Sequence, residues 1–180
     1  DNEGRIYFIS RGFWRYDPAT EKLESLPLDI EGINANYSFT FLGADKRYPG
    51  KIFLSVRDAV LMVDTTDFGI RDVYRFPEKE RNNISAVTSF MVDSHDVLWL
   101  GFPSYGMVGL DAETFAVKTY LNGTESLFTD IVYSLTGDES GNIWFTTHGF
   151  LGRYSPLSGS VERYRYGEDI RVSEFNDGAA

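Results

Sequence analysis

Short apolar triplets recur along the chain at an almost constant interval. Each triplet has an aromatic residue at its centre, and these anchor aromatics are Tyr7, Phe53, Trp99 and Trp144. They are 46, 46 and 45 residues apart, a steady period that is typical of repeat proteins. Because successive residues of a strand point to opposite faces, three apolar residues in a row predict a strand that is covered on both faces. We call these predicted strands the anchor strands.

Three further strands can be placed around each anchor strand. Second strands are predicted at residues 13–16, 59–63, 107–110 and 150–154, outer strands at 23–26, 70–76, 116–120 and 161–166, and inner strands at 37–43, 86–92 and 131–136. Turns that open with Asp or Ser connect the second strand to the outer strand, since these side chains bond back to the backbone. No segment carries the sustained 3.6-residue apolar stripe of an amphipathic helix. Each repeat is therefore predicted to be a four-stranded antiparallel unit.

Repeated sheets that are apolar on both faces predict a β-propeller. Such a sheet cannot shield itself, whereas stacking sheets around an axis covers each face with the next blade. A parallel β-helix has shorter coils, and an ordinary β-sandwich would not need a steady repeat. The fold predicted is all-β, a β-propeller segment of about four four-stranded antiparallel blades in one domain over residues 1–180.

The strand order within the sequence is offset from the blades. The sequence starts in the turn before an anchor strand, and V-S-E-F-N-D-G-A-A from Val172 fits the inner strand of a next blade. We therefore expect a propeller segment that is circularly offset by one strand and cut from a longer array. The alternative is ring closure, with residues near Val172 completing the blade of Tyr7.

Composition excludes several classes of partner. With 17 Lys and Arg against 27 Asp and Glu, the net charge of -10 would repel phosphate backbones and anionic membranes, so no nucleic acid partner is expected. No apolar run is long enough to span a bilayer. The absence of cysteine excludes disulfides and thiolate metal sites, and it leaves the compartment open.

One stretch of the fourth repeat carries a family resemblance. The string D-E-S-G-N-I-W-F-T-T-H-G-F-L-G-R-Y-S-P-L-S-G-S-V-E-R-Y, from Asp138 to Tyr164, resembles the two-component regulator propeller repeat, and S-E-F-N-D-G-A-A from Ser173 is similar to the segment that follows it. The resemblance implies a periplasmic, ligand-sensing propeller in a bacterial receptor. Its partners would be the remaining blades of the same protein and a histidine kinase or diguanylate cyclase. The second repeat departs most from the pattern, with G-A-D-K-R-Y-P-G from Gly43 in place of a short acidic turn.

Two rival functions stay open beside the sensor. The stretch G-N-I-W-F-T is also similar to the repeats of streptogramin lyases, propeller enzymes that use a His base and a metal. The two histidines, His95 and His148, lie in different repeats, and no zinc spacing or phosphate loop occurs. We therefore expect no enzymatic activity, no catalytic residue, no metal and no cofactor. A protein-interaction scaffold is the third reading, and a homodimer is an assembly that the sequence leaves open.

Loops between the anchor and second strands are the candidate ligand site. In a propeller they emerge at one end, where function concentrates on loops held by a rigid scaffold. They offer Arg11, Arg57, Tyr105 and His148, a set suited to a polar or anionic small molecule, with an oligosaccharide among the candidates. Solvated loop tips are the alternative. Trp99 and Trp144 are predicted to pack in the core between blades and not to serve as sugar-stacking platforms.

Overall fold

The computed structural model describes residues 4–10, 12–26, 41–56, 59–77, 87–123, 127–165 and 171–174. Within them the regular elements are β-strands, arranged in four antiparallel sheets. The first sheet contains β1 (Ile6–Ile9), β2 (Phe13–Asp17) and β3 (Lys22–Leu26). The second contains β4 (Phe41–Gly43), β5 (Lys51–Val56), β6 (Ala59–Asp64) and β7 (Ile70–Arg75). The third contains β8 (Ser89–Val92), β9 (Val97–Phe102), β10 (Gly106–Asp111) and β11 (Val117–Leu121). The fourth contains β12 (Ser134–Gly137), β13 (Ile143–Thr146), β14 (Phe150–Tyr154), β15 (Val161–Arg165) and β16 (Arg171–Glu174).

The prediction of a β-propeller segment is confirmed. Strands neighbour one another in chain order, so that each complete sheet runs from inner through anchor and second to outer strand. Each anchor triplet lies in β1, β5, β9 or β13, and the second and outer strands fall where the apolar pattern places them. The first sheet has three strands among the described residues, in agreement with the offset of one strand. Residues 37–40, 86 and 166, which were also assigned to strands, lie outside the described residues.

The last strand differs from its prediction. The segment from Val172 was expected to take the inner position of a next blade, but β16 pairs antiparallel with the outer strand β15, as a fifth strand of the fourth sheet. Val172 lies opposite Arg163 in this pairing. Pairing with the strand that precedes it in sequence satisfies the backbone groups of β16 without a more distant partner.

The chain divides into two compact units, Asp1–Glu78 and Lys79–Ala180. In each unit two sheets share a core. The core of the first unit contains Phe13, Leu26, Ile52, Leu54 and Val63, with Tyr7 and Ile9 packed against it. The core of the second unit contains Trp99, Met107, Leu127, Val132, Leu135, Ile143, Phe145, Tyr154 and Val161.

The same faces meet in both units. The face of the first sheet that carries the anchor aromatic Tyr7 packs on the face of the second sheet that carries Ile52 and Leu54. In the second unit the Trp99 face of the third sheet packs in the same way on the Ile143 and Phe145 face of the fourth. The internal repeat is therefore a repeat of packing as well as of strands.

Burial of the anchor triplets varies between repeats. Phe53 and Trp99 are 0% and 2% exposed, and both their neighbours in the triplet are also buried. Trp144 was predicted as core but is only half-buried, because it lies on the face of β13 opposite to Ile143 and Phe145. No further sheet in the described part of the second unit covers that face. In β1 the triplet is partly exposed, with Ile6 at 54%.

Candidate functional site

The structure describes two of the four predicted ligand residues. Arg11 and Arg57 lie outside the described residues. Tyr105 is buried at the link between β9 and β10, with its ring 5.5 Å from that of Phe102 and 4.7 Å from that of Tyr120. It thus forms part of the packing of the third sheet.

His148 lies on the surface. It sits in the short link between β13 and β14, where the Gly149 amide donates to the Thr147 carbonyl. Its side chain is exposed and makes no hydrogen bond or ring contact with any residue that the structure describes. Beside it, the Thr147 hydroxyl is buried without a hydrogen-bond partner in the described part of the chain.

The turns that precede the anchor strands, which we call the lead-in turns, share one geometry. The residue three positions before each anchor aromatic has a positive φ, and these residues are Gly4, Gly50, Asp96 and Gly141. In the third and fourth repeats an Asp six positions before the anchor accepts the indole N–H. Asp93 Oδ2 and Asp138 Oδ2 each lie 2.8 Å from the Nε1 atom of Trp99 and Trp144, respectively. These carboxylates therefore have a structural role.

The second repeat replaces this arrangement. Arg47 stands six positions before the anchor, and the anchor Phe53 has no N–H to donate. The ring of Tyr48 instead packs edge-on against Phe53, with centroids 5.0 Å apart. Asp45 Oδ1 accepts the Arg47 backbone N–H at 2.9 Å, which closes the turn locally. The lead-in turn of the second repeat therefore contacts its anchor side chain through ring packing and not through a hydrogen bond.

This turn forms most of the wall of a cavity of about 550 Å3 within the first unit. We call it the first-unit cavity. Its lining residues are Arg5 and Tyr7, at the start of the first sheet, and from the second sheet and its turns Gly43, Ala44, Asp45, Lys46, Tyr48, Pro49, Gly50, Lys51, Ile52 and Thr65. The volume lies within the range of small-molecule sites, roughly 300–1,000 Å3.

Three cations line the cavity, and two of them, Lys51 and Arg5, lie near a carboxylate of the first unit. Lys51 Nζ donates to Asp64 Oδ2, and this bond lowers the pKa of Asp64 to about 2, helped by the Thr66 backbone N–H. The pKa of Asp17 is also lowered. Desolvation opposes that shift, but the backbone N–H groups of Ala19 and Thr20 outweigh it together with the charge of Arg5.

Lys46 is the third cation at the cavity. It is exposed and pairs with no carboxylate in the part of the chain that the structure describes.

Sequence reasoning missed this cavity. The predicted loops connect anchor strands to second strands, whereas the cavity lies where the anchor strands begin, at the opposite end of β1 and β5. A signal was present in the departure of residues 43–50 from the acidic turn of the other repeats. The unusual sequence of this turn showed where to look but could not predict the cavity, because the cavity also needs Arg5 and Tyr7 from the neighbouring sheet.

Among the described residues, no group of three or more His, Asp or Glu side chains is placed to hold a metal ion. The described residues contain no helix that is long and apolar enough to cross a membrane.

Several solved structures have a fold similar to that of this chain. No family model and no curated protein sequence matches the chain. Among solved structures, the extracellular domain of BT4673 from B. thetaiotaomicron, assigned as a hybrid two-component system, matches 99% of this chain with a TM-score of 0.65 and 16% identity. The extracellular domain of BT3049 from the same organism, with the same assignment, matches 91% with a TM-score of 0.61 and 12% identity.

A third similar structure has a different role. PorZ, a bacterial surface component of the type-IX secretion system of Porphyromonas gingivalis, matches 86% of this chain with a TM-score of 0.59 and 16% identity. The chain spans 29%, 24% and 25% of BT4673, BT3049 and PorZ, respectively, which is less than a third of each. The resemblance drawn from Asp138 to Tyr164 is thus confirmed at the level of the fold: the chain has the β-propeller fold of the extracellular domains of hybrid two-component systems.

Proposed function

We propose that this chain is part of the extracytoplasmic ligand-sensing domain of a bacterial signal-transduction receptor. The observation that supports this most strongly is the match of 99% of the chain to the extracellular domain of BT4673. The periplasmic location, the remaining blades and the signalling domains of the same protein are parts of the proposal. The absence of catalytic activity is also part of the proposal.

The first-unit cavity is the better supported of the two ligand sites. It is lined by side chains of two sheets, so a bound molecule would touch both and favour the arrangement in which both contacts are made. The predicted loop set of Arg11, Arg57, Tyr105 and His148 is the second site. Tyr105 would enter it only through its edge, since its ring is packed between Phe102 and Tyr120.

Ligand screening tests the proposal. The 180-residue chain is melted with neutral and acidic oligosaccharides and with small organic ions. A compound at 100 times its Kd stabilises the folded state by about 2.7 kcal/mol, which is a shift of about 5 °C or more for a chain of this size. Each hit is incubated with the protein and recovered by mass spectrometry, then applied to the intact receptor while its signalling output is measured.

The outcomes separate the functions. A sensor changes the output of the receptor and leaves the compound unchanged, whereas a lyase-like enzyme consumes it. A surface scaffold, which the likeness to PorZ favours as second candidate, would respond to a macromolecule and to no small compound. Tyr48→Ala tests the cavity, and His148→Ala and Tyr105→Phe test the loops.

A further inference from the structure

We infer that the first-unit cavity binds a small organic molecule through a carboxylate group, with Lys46 as its ionic partner. This inference rests on the ligand-sensing function proposed above and adds the chemical class of the ligand. The charge of one turn, the pairing of the cations and the walls of the cavity support it.

The lead-in turn of the second repeat reverses the charge of its counterparts. Residues 43–50 contain one acidic and two basic side chains, Asp45, Lys46 and Arg47. The equivalent residues 89–96 and 134–141 each contain two acidic residues and no Lys or Arg. In a chain of net charge -10, a basic turn is a local exception. This basic turn lines the first-unit cavity.

The cations differ in how far they are neutralised. Lys51 is held by Asp64, and Arg5 lies near enough to Asp17 for its charge to help lower the pKa of that carboxyl. Lys46 lines the cavity without an ion pair among the described residues. An anionic group in the cavity would gain a charge-assisted bond from Lys46 without first breaking one.

The walls suit the body of an organic molecule. The ring of Tyr7 is stacked on Phe13 at 5.9 Å, and the ring of Tyr48 is held edge-on by Phe53 at 5.0 Å. Since both rings are supported from behind, they form rigid apolar surfaces that lose little freedom when a ligand packs on them. A ligand whose carboxylate bonds to Lys46 and whose carbon skeleton packs on Tyr7 and Tyr48 would use both the charge and the apolar walls of the site.

Matched pairs of test compounds isolate the carboxylate. D-glucuronate is compared with D-glucose, and glutarate with glutaramide, so that each pair differs in acid groups and the two pairs distinguish a sugar acid from an aliphatic acid. Binding to the 180-residue chain is followed through the amide NMR signals of Gly43, Tyr48 and Gly50. We expect at least one acid to bind at least ten times more tightly than its neutral partner, and to weaken as salt is raised from 50 to 500 mM.

Charge-matched variants identify the ionic partner. Lys46→Gln should weaken binding of that acid by about tenfold, as expected for the loss of a charge-assisted bond. Arg47→Gln is the control, since it removes the same charge from the same turn but does not line the cavity, and it should weaken binding less than twofold.

Three results would overturn the inference. They are equal binding of acid and neutral partner, equal effects of the two variants, and no binding of any of the four compounds at 20 mM. Each leaves the sensor proposal to be judged by the signalling assay, which does not depend on these compounds.

Discussion

At the scale of single residues, equivalent tryptophans have different surroundings. Trp99 is 2% exposed, and its ring lies 5.6 Å from that of Tyr154 in the core of the second unit. Trp144 is half-buried, stacked on Tyr164 at 5.5 Å, with the Arg153 guanidinium 5.6 Å from its ring centre. Both indoles keep their bond to a lead-in Asp. The two positions therefore share local geometry and differ in burial.

This difference predicts unequal costs of truncation. Trp99→Ala should lower the free energy of unfolding by about 3–5 kcal/mol, because it empties a closed site in the core. Trp144→Ala should cost less than half as much, since water and the neighbouring Arg153 can fill the space. Urea denaturation measures both, with Trp144→Phe as a control that retains the stacking. Equal losses at the two positions would mean that the Trp144 face is covered.

Acid stability should depend on the lead-in turn of the fourth repeat. The Asn142 side-chain amide, followed by the Trp144 indole N–H, lowers the pKa of Asp138 to about 2, against a desolvation effect that raises it. Its pKa in the unfolded chain is near 3.9, so the unfolded state binds more protons between about pH 4 and pH 2. This contribution to stability is present above pH 4 and is lost as the pH falls through 2.

The test is the change in melting temperature between pH 5 and pH 2.5. Asp138→Asn should lower the melting temperature at pH 5 and reduce its further drop on acidification. Glu139→Gln removes the same charge from an exposed position on the same turn and serves as control. An unchanged pH dependence in Asp138→Asn would show that other carboxylates, such as Asp64 and Asp111, dominate.

At the scale of strands, two glycines show how closely a neighbouring side chain approaches the backbone. A Cβ atom on Gly152 of β14 would lie 2.1–2.5 Å from ring atoms of Phe145, which belongs to the core of the second unit. A Cβ atom on Gly137 of β12 would lie 2.9 Å from the terminal methyl of Met91 and 3.9 Å from the Asn142 carbonyl oxygen, which is an ordinary contact. A flexible side-chain end can move aside, whereas a packed ring cannot.

Substitution at these two strands should therefore have different effects. Gly152→Ala should destabilise the chain by about 1–3 kcal/mol, the usual cost of overpacking a core. Gly137→Ala should cost well under 1 kcal/mol, since its neighbour can change rotamer. Thermal melts of the two variants side by side measure the difference, and a larger loss for Gly137→Ala would contradict the packing of β13 against β14.

At the scale of the whole molecule, each unit has its own core. The nine buried residues that form the core of the second unit all come from its own two sheets and the segments that join them. Sheets of four or five strands that pack on each other are large enough for independent stability.

Residues 79–180 should therefore fold when produced alone. We expect a β-sheet circular dichroism spectrum and a cooperative urea transition. Phe145→Ala in this fragment should abolish the transition, since it removes the centre of the core. A fragment with no transition would show that the first unit contributes to the stability of the second.

The positions of the strands were readable from residue patterns alone. Short continuous apolar runs and turn residues act over a few neighbours, so the anchor triplets, second strands and outer strands lie in the structure within about two residues of their predicted bounds. The repeat also predicted the stacking of like sheets, because a two-faced apolar sheet must be covered. These properties follow from local chemistry and from burial.

Three features depended on how strands pair and how sheets pack. Trp144 is half-buried because burial requires a neighbouring sheet, which a triplet cannot specify for itself. The fifth strand β16 pairs with β15 because backbone groups take the partner that lies within reach. The first-unit cavity joins Arg5 and Tyr7 to residues 43–52 about forty positions away, and sheet packing brings these segments together. Periodicity places residues on strands, but which side chains converge on one space is decided by how the sheets pack.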